Sequence, residues 1–250
     1  MHRIIVFLGI VILISCKVEK RSEPTAQSII DSSIAVSGGA LYGSTIRSFA
    51  FRDKNYVSEN GNGKKTLKRI LKNDTVTILD VRTNQKFERY VNDSLVQLHD
   101  TTANKYANSV NSVHYFASLP FGLNDPAVHK ELLGNATVKG KEYHKIKVTF
   151  DQNGGGDDFD DIYVYWFNKK TWKPDYLAYE FHVDGGGMRF REAFNERYVN
   201  GIRFVDYHNY KTADLATSIL KIDSLFEKGS LELLSEIELK DIQVNQGSYN

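Results

Sequence analysis

Pairs of turn-forming residues recur along this chain between short runs of β-branched and aromatic residues, and that alternation points to an antiparallel β protein. Asn73-Asp74, Asn92-Asp93 and Asn200-Gly201 each separate two such runs. Asn-Gly is the strongest of the three signals, because a two-residue hairpin needs positive φ at both central positions. The first half reads as strands over 46–51, 56–59, 66–72, 76–81, 87–91 and 95–98. The second half reads as strands over 136–138, 142–150, 162–167, 176–183, 188–199, 202–210 and 231–244. Within 176–183, Leu177, Tyr179, Phe181 and Val183 alternate onto one face, whereas 162–167 is apolar almost throughout and predicts burial on both faces. The 14 Tyr and 14 Phe suit strands, and four prolines leave few interruptions.

Helical spacing interrupts the series in a few places. Thr25 can cap a helix carrying Ala26, Ile29, Ile30 and Ile34 on one face, and Gly38-Gly39 ends it. Over 102–119, Tyr106, Val110, Val113 and Phe116-Ala117 recur at three- and four-residue steps, which predicts a second amphipathic helix. The segment from Pro120 to Pro126 is a loop. A short helix is expected over 128–133, ended by Gly134, and a last one over 215–226. A sheet of aromatic strands must bury one face, and the 102–119 helix is available as its cover. With no internal repeat, low-complexity tract or linker, residues 25–250 read as one α+β domain.

The N-terminal segment says how such a domain would be held. Arg3 precedes an unbroken apolar run of eleven residues, Ile4 to Ile14, well short of the ~20 needed to cross a bilayer. Ser15 then supplies a small residue ahead of Cys16, and Leu13-Ile14-Ser15-Cys16 resembles a bacterial lipobox. On this reading residues 1–15 are a lipoprotein signal peptide, Cys16 is the lipidation site, and 16–24 is a polar tether. Each buried acyl methylene adds about 0.8 kcal/mol to membrane attachment. Cys16 is the only cysteine, so disulfides within the chain and thiolate zinc sites are excluded.

Chemistry is harder to find. The 32 basic and 31 acidic residues nearly balance, which gives no general pull toward nucleic acid. There is no Gly-x-Ser-x-Gly elbow and no His-Glu-x-x-His helix, and the seven histidines are scattered singly. No enzyme and no cofactor are expected. Asp157, Asp158, Asp160 and Asp161 follow Gly154-Gly155-Gly156 and offer oxygens for a hard cation, although a solvated hairpin loop uses the same residues. Folding the hairpin about Asn200-Gly201 places Arg189, Arg191, Asn195, Arg197, Asp206 and His208 on a common face. It brings Arg197 and Asn195 close to Asp206 and puts Glu192 and Asp206 on opposite faces. Lining a cavity, Arg191 and Arg197 would hold an anionic head group; on an open surface they would form an ion-pair ladder.

Several longer stretches carry a family resemblance. They are Ser109-Val110-Asn111-Ser112-Val113-His114-Tyr115-Phe116, the segment Leu119 to Pro126, Tyr165-Trp166, and Tyr176-Leu177-Ala178-Tyr179. Gly186-Gly187-Met188-Arg189-Phe190-Arg191-Glu192-Ala193 and Gly201-Ile202-Arg203-Phe204-Val205-Asp206-Tyr207 complete the set. With these the chain resembles the flavobacterial lipoprotein family DUF6503, which brings no known activity and therefore no catalytic residue. More distantly it is similar to LolA/LolB-like lipoprotein carriers. That similarity implies a large antiparallel sheet curled into an incomplete barrel, with helices packed on its concave side and acyl chains accommodated there. The expected function is a membrane-anchored binder of a lipid or other hydrophobic ligand, with Tyr179, Phe181, Phe190, Arg191, Arg197, Asp206 and His208 as candidate ligand-binding residues. A structural lipoprotein that docks to a cell-envelope partner is the alternative. The implied location is the outer membrane, facing the periplasm, with the chain acting as a monomer.

Overall fold

Turn chemistry sets the strand boundaries. A computed structural model of the chain describes residues 23–61, 64–153, 159–182, 185–214 and 216–247. Asn92-Asp93 (φ 46° and 62°), Lys139-Gly140 (47° and 71°) and Asn200-Gly201 (46° and 83°) all have the paired positive φ of a tight hairpin. Asn73 works differently: its side-chain oxygen accepts from the Thr75 and Val76 amides and organises a longer turn.

These turns connect neighbouring strands within two seven-stranded antiparallel sheets. The first runs β1 (Thr45–Phe51), β2 (Lys54–Gly61), β3 (Lys64–Lys72), β4 (Thr77–Thr83), β5 (Phe87–Val91) and β6 (Ser94–Val96), with β14 (Lys240–Gln246) paired to the free side of β1. The second is a meander of β7 (Val128–Val138), β8 (Lys141–Phe150), β9 (Ile162–Asn168), β10 (Pro174–Phe181), β11 (Gly187–Val199), β12 (Ile202–Lys211) and β13 (Glu232–Ile237). Among the described residues the sheets do not pair with each other, so the α+β fold is an incomplete barrel.

Helix α1 (Ala26–Val36) starts with a reciprocal capping box between Thr25 and Ser28. Its Ile29 and Ile30 are fully buried against Ile146, Tyr165, Leu177 and Tyr207 on the inner face of the second sheet. Helix α2 (Asp100–Ala117) lies on β3, β4 and β5 of the first sheet. There Arg69 donates to Ser109 and the Arg89 guanidinium sits 3.4 Å from the Tyr106 ring centre. The last turn of α2 crosses to the second sheet, where Tyr115 and Phe116 join its inner core. Between the sheets, Tyr42, Phe49 and Tyr56 pack with Ile202, Phe204 and Val244.

Not every helix is on the concave side. Helix α3 (Ile222–Glu227) and the 3-10 turn Ile219–Lys221 before it pack on the opposite face of the second sheet, over Trp166, Tyr176 and Phe190. The physical reason is the two-sided apolar character of β9 and β10: the outer aromatic row also has to leave water. Asp223 fixes this helix by accepting from Lys145 Nζ (2.7 Å) and Trp166 Nε1 (3.0 Å).

Three expected elements are revised. Residues 128–133 are strand rather than helix: Val128, Lys130 and Leu132 pair in register with β8, and the strand runs on past Gly134 (φ 107°) through a bulge at Leu132/Gly134. The strand expected over 231–244 is two strands in different sheets, since Ile237 pairs with Tyr207 while Lys240 pairs with Ala50. The last helix is shorter than 215–226, and Leu215 lies outside the described residues.

Candidate functional site

The site begins with a bulge in β11. Asn195 takes φ 49°, and the register jumps from Phe194↔Asp206 to Arg197↔Phe204, so one strand gains a residue on the other. The extra residue inverts the alternation beyond it. Arg189 and Arg191 therefore share the alternation of Tyr179 and Leu177, with which they pair, while Asp206 and His208 belong to the opposite alternation with Glu192, which pairs with His208. The single face expected for all six hairpin residues does not exist, and Glu192 and Asp206 share an alternation rather than opposing each other.

On the inner face, registered pairing draws one row across the sheet. Ile146, Tyr165 and Leu177 lead on successive strands to Arg191, Asn209 and Ser235. The row turns from apolar to polar where α2 ends. A pocket of about 170 Å³ opens there, between Ser112, Val113, Phe116 and Ala117 of α2 and Arg191, Val205, Tyr207, Asn209, Ser235, Ile237 and Leu239, with Phe51 and Arg52 at its rim. Among the described residues no carboxylate lines it.

Arg191 is 7% exposed. Its guanidinium carbon stands 3.8 Å from the Phe116 ring centre, and Nη2 donates to the Tyr179 hydroxyl at 3.1 Å. Tyr179 is itself held between Phe116 (5.4 Å) and Tyr163 (5.6 Å). Among the described residues no carboxylate lies within ion-pairing distance of Arg191, and its Nε has no partner. The Asn209 side-chain oxygen is also buried without one. Burial pushes the neighbouring Tyr207 hydroxyl above its usual pKa, with Arg203 and Arg191 pulling the other way. A buried cation that lacks an anion is costly, and a ring face and one phenol compensate it only in part.

The remaining candidate residues lie elsewhere. Asp206, 2% exposed, accepts from Asn195 Nδ2 (2.6 Å), Arg197 Nη2 (3.0 Å) and the Leu239 amide (2.9 Å). Arg197 also donates to the Leu239 carbonyl at 2.6 Å, so the pair clamps the peptide where the chain leaves one sheet for the other. Its closeness to Asp206 matches the sequence reading; its expected place beside Arg191 does not. His208 stacks on Phe194 (4.2 Å) near Glu192, and Phe190 is fully buried under α3. Phe181 adjoins Tyr179 and the Arg189 guanidinium but does not line the pocket. Asp160 is exposed and Asp161 buried, whereas Cys16, Asp157 and Asp158 lie outside the described residues. No cluster of three or more metal-binding side chains occurs among the described residues. Asn209, Ser235 and Phe116 were not foreseen as site residues. Phe116 was legible as the inner face of an amphipathic helix, but the other two required the register.

Comparison with known proteins places the chain as follows. Among curated proteins none matches it in sequence. Its fold is similar to a domain described as an outer membrane lipoprotein-sorting protein domain from Vibrio parahaemolyticus, at 10% identity and a TM-score of 0.47, covering 90% of this chain and 94% of that one. It is similar to a DUF1329 family protein from Desulfovibrio piger at 11% identity and a TM-score of 0.41, over 90% and 95% of the two chains. LprF from Mycobacterium bovis aligns at 13% identity and a TM-score of 0.26, over 66% and 90%. The family model for a family of unknown function, DUF6503, matches residues 44–239, which contain both sheets' central strands, α2 and every residue of the pocket; the chain belongs to that family.

Proposed function

We propose that this protein is a membrane-tethered binding protein that takes a lipid or other hydrophobic ligand into the pocket between α2 and the second sheet, without carrying out chemistry on it. The observation that carries this reading is the pocket itself: an apolar recess of about 170 Å³ with a buried arginine in its wall and no carboxylate. Its ionisable lining groups are Arg52, Arg191 and Tyr207, which make no acid–base pair suited to hydrolysis. A lipidated Cys16 would hold the domain at the cell envelope, on the outer membrane and facing the periplasm.

Native mass spectrometry of the purified chain, with organic extraction of what copurifies, tests the proposal. A reproducible bound species is expected, and Ala117→Phe, which fills the recess from α2, should reduce its occupancy. A clean apo mass with no uptake of added lipid would refute it. That result would favour the docking reading, for which Leu233 (50% exposed) and Leu234 (44%) on the edge strand β13 offer apolar surface.

A further inference from the structure

Resting on that ligand-binding reading, we infer that the pocket selects a single-chain amphiphile with an anionic oxyacid head, held by Arg191 and Asn209. Three other buried cations of this chain have a carboxylate: Arg69 has Asp80 at 2.6 Å, Arg203 has Glu196 at 2.6 Å and Lys145 has Asp223 at 2.7 Å. Arg191 is buried to a similar degree, lines a recess that has no carboxylate among its described lining residues, and leaves its Nε–H without a partner. The missing acceptor is therefore of the type a ligand oxyanion supplies, and charge-assisted bonds to it are about twice as strong as neutral ones.

Asn209 supports the same chemistry. It pairs in register with Arg191 on one side and Ser235 on the other, and all three line the pocket. Its Nδ2 now donates to the Ser235 hydroxyl at 3.2 Å while its Oδ1 has no partner. Rotating the amide by half a turn lets the serine hydroxyl donate to Oδ1 and frees the NH2 to donate to another acceptor. The second oxygen of a carboxylate or phosphate then meets a second donor. Arg52 at the rim adds positive charge to the approach.

Size limits the apolar part. At about 170 Å³ the recess is similar in size to the ~150 Å³ apolar cavity known to take a six-carbon benzene ring. One chain can therefore lay about six carbons against Val113, Ala117, Val205 and Ile237, with the rest emerging past the exposed Ser112.

The test is isothermal titration of the full chain carrying Cys16→Ser, with octanoate, octyl phosphate, octan-1-ol and octylamine as probes. Octanoate or octyl phosphate should bind at least tenfold tighter than octan-1-ol, and octylamine should bind weakest. Whichever acid binds tighter identifies the head as carboxylate or phosphate. In Arg191→Gln the preference should vanish while octan-1-ol binding persists. Asn209→Leu keeps the guanidinium and should lower the preference several-fold, so it decides the matter if Arg191→Gln does not fold. Equal affinity for acid and alcohol, or a preference that survives both variants, would overturn the head-group assignment and leave the hydrophobic pocket standing. Failure of every probe to bind would overturn both.

Discussion

Acidification should weaken this fold through His114. The residue sits on α2, 2% exposed, flanked edge-on by the rings of Phe49 (5.8 Å) and Tyr56 (5.5 Å). Its Nε2 lies 3.0 Å from the Lys68 carbonyl oxygen and donates to it, while Nδ1 is buried with no partner. Burial lowers its pKa from 6.5 to about 4, and Lys65, Arg47 and Arg82 push the same way against the Lys68 hydrogen bond. The unfolded chain thus takes up a proton near pH 6.5 that the folded chain refuses until about pH 4, so stability falls as pH drops through that window. A gap of about 2.5 pKa units at about 1.36 kcal/mol each gives about 3 kcal/mol in all, most of it lost by about pH 4.5. Urea unfolding followed by tryptophan fluorescence at pH 7.5 and 4.5 measures it. His114→Gln keeps a donor for Lys68 and removes the titration, so it should lose about 2–3 kcal/mol less than the parent over that interval. Parallel losses in the two proteins would refute the assignment, because carboxylates elsewhere contribute equally to both.

Other substitutions test the remaining structural claims. Asp206→Ala strips the buried partner from Arg197, Asn195 and the Leu239 amide, and should cost about 3–5 kcal/mol in urea unfolding. Arg197→Ala, with that side chain 26% exposed, should cost only about 1–2 kcal/mol in the same assay. Phe190→Ala opens the core under α3 and should cost about 3–5 kcal/mol, yet leave ligand occupancy by native mass spectrometry unchanged because the residue lies away from the pocket. Gly201→Ala meets both φ +83° and the Leu41 Cδ1 atom at 2.8 Å from the new Cβ; a loss of about 1–2 kcal/mol in thermal or urea unfolding is expected.

Local chemistry was legible where short-range rules decide the outcome. Asn200-Gly201 announced its hairpin because few residues tolerate two successive positive φ values, and Thr25 announced α1 because its hydroxyl can reach an orphan helix amide. The burial of 162–167 on both faces and the helix expected over 102–119 could likewise be read directly from the residues. The outcome at 128–133 could not, since in so short a run helical and strand spacing coincide and pairing with β8 settles it. The break at Leu239 and the inversion at Asn195 are also tertiary decisions, for neither residue type requires a strand to end or bulge there. One inserted residue turned Arg191 toward α2 and Asp206 toward Leu239, and so separated two residues that alternation alone would have joined in one site. The sequence by itself determined which side chains can carry charge or bury a ring. Register decided which of them meet, because side chains alternate with a period of two and a single extra residue exchanges the faces.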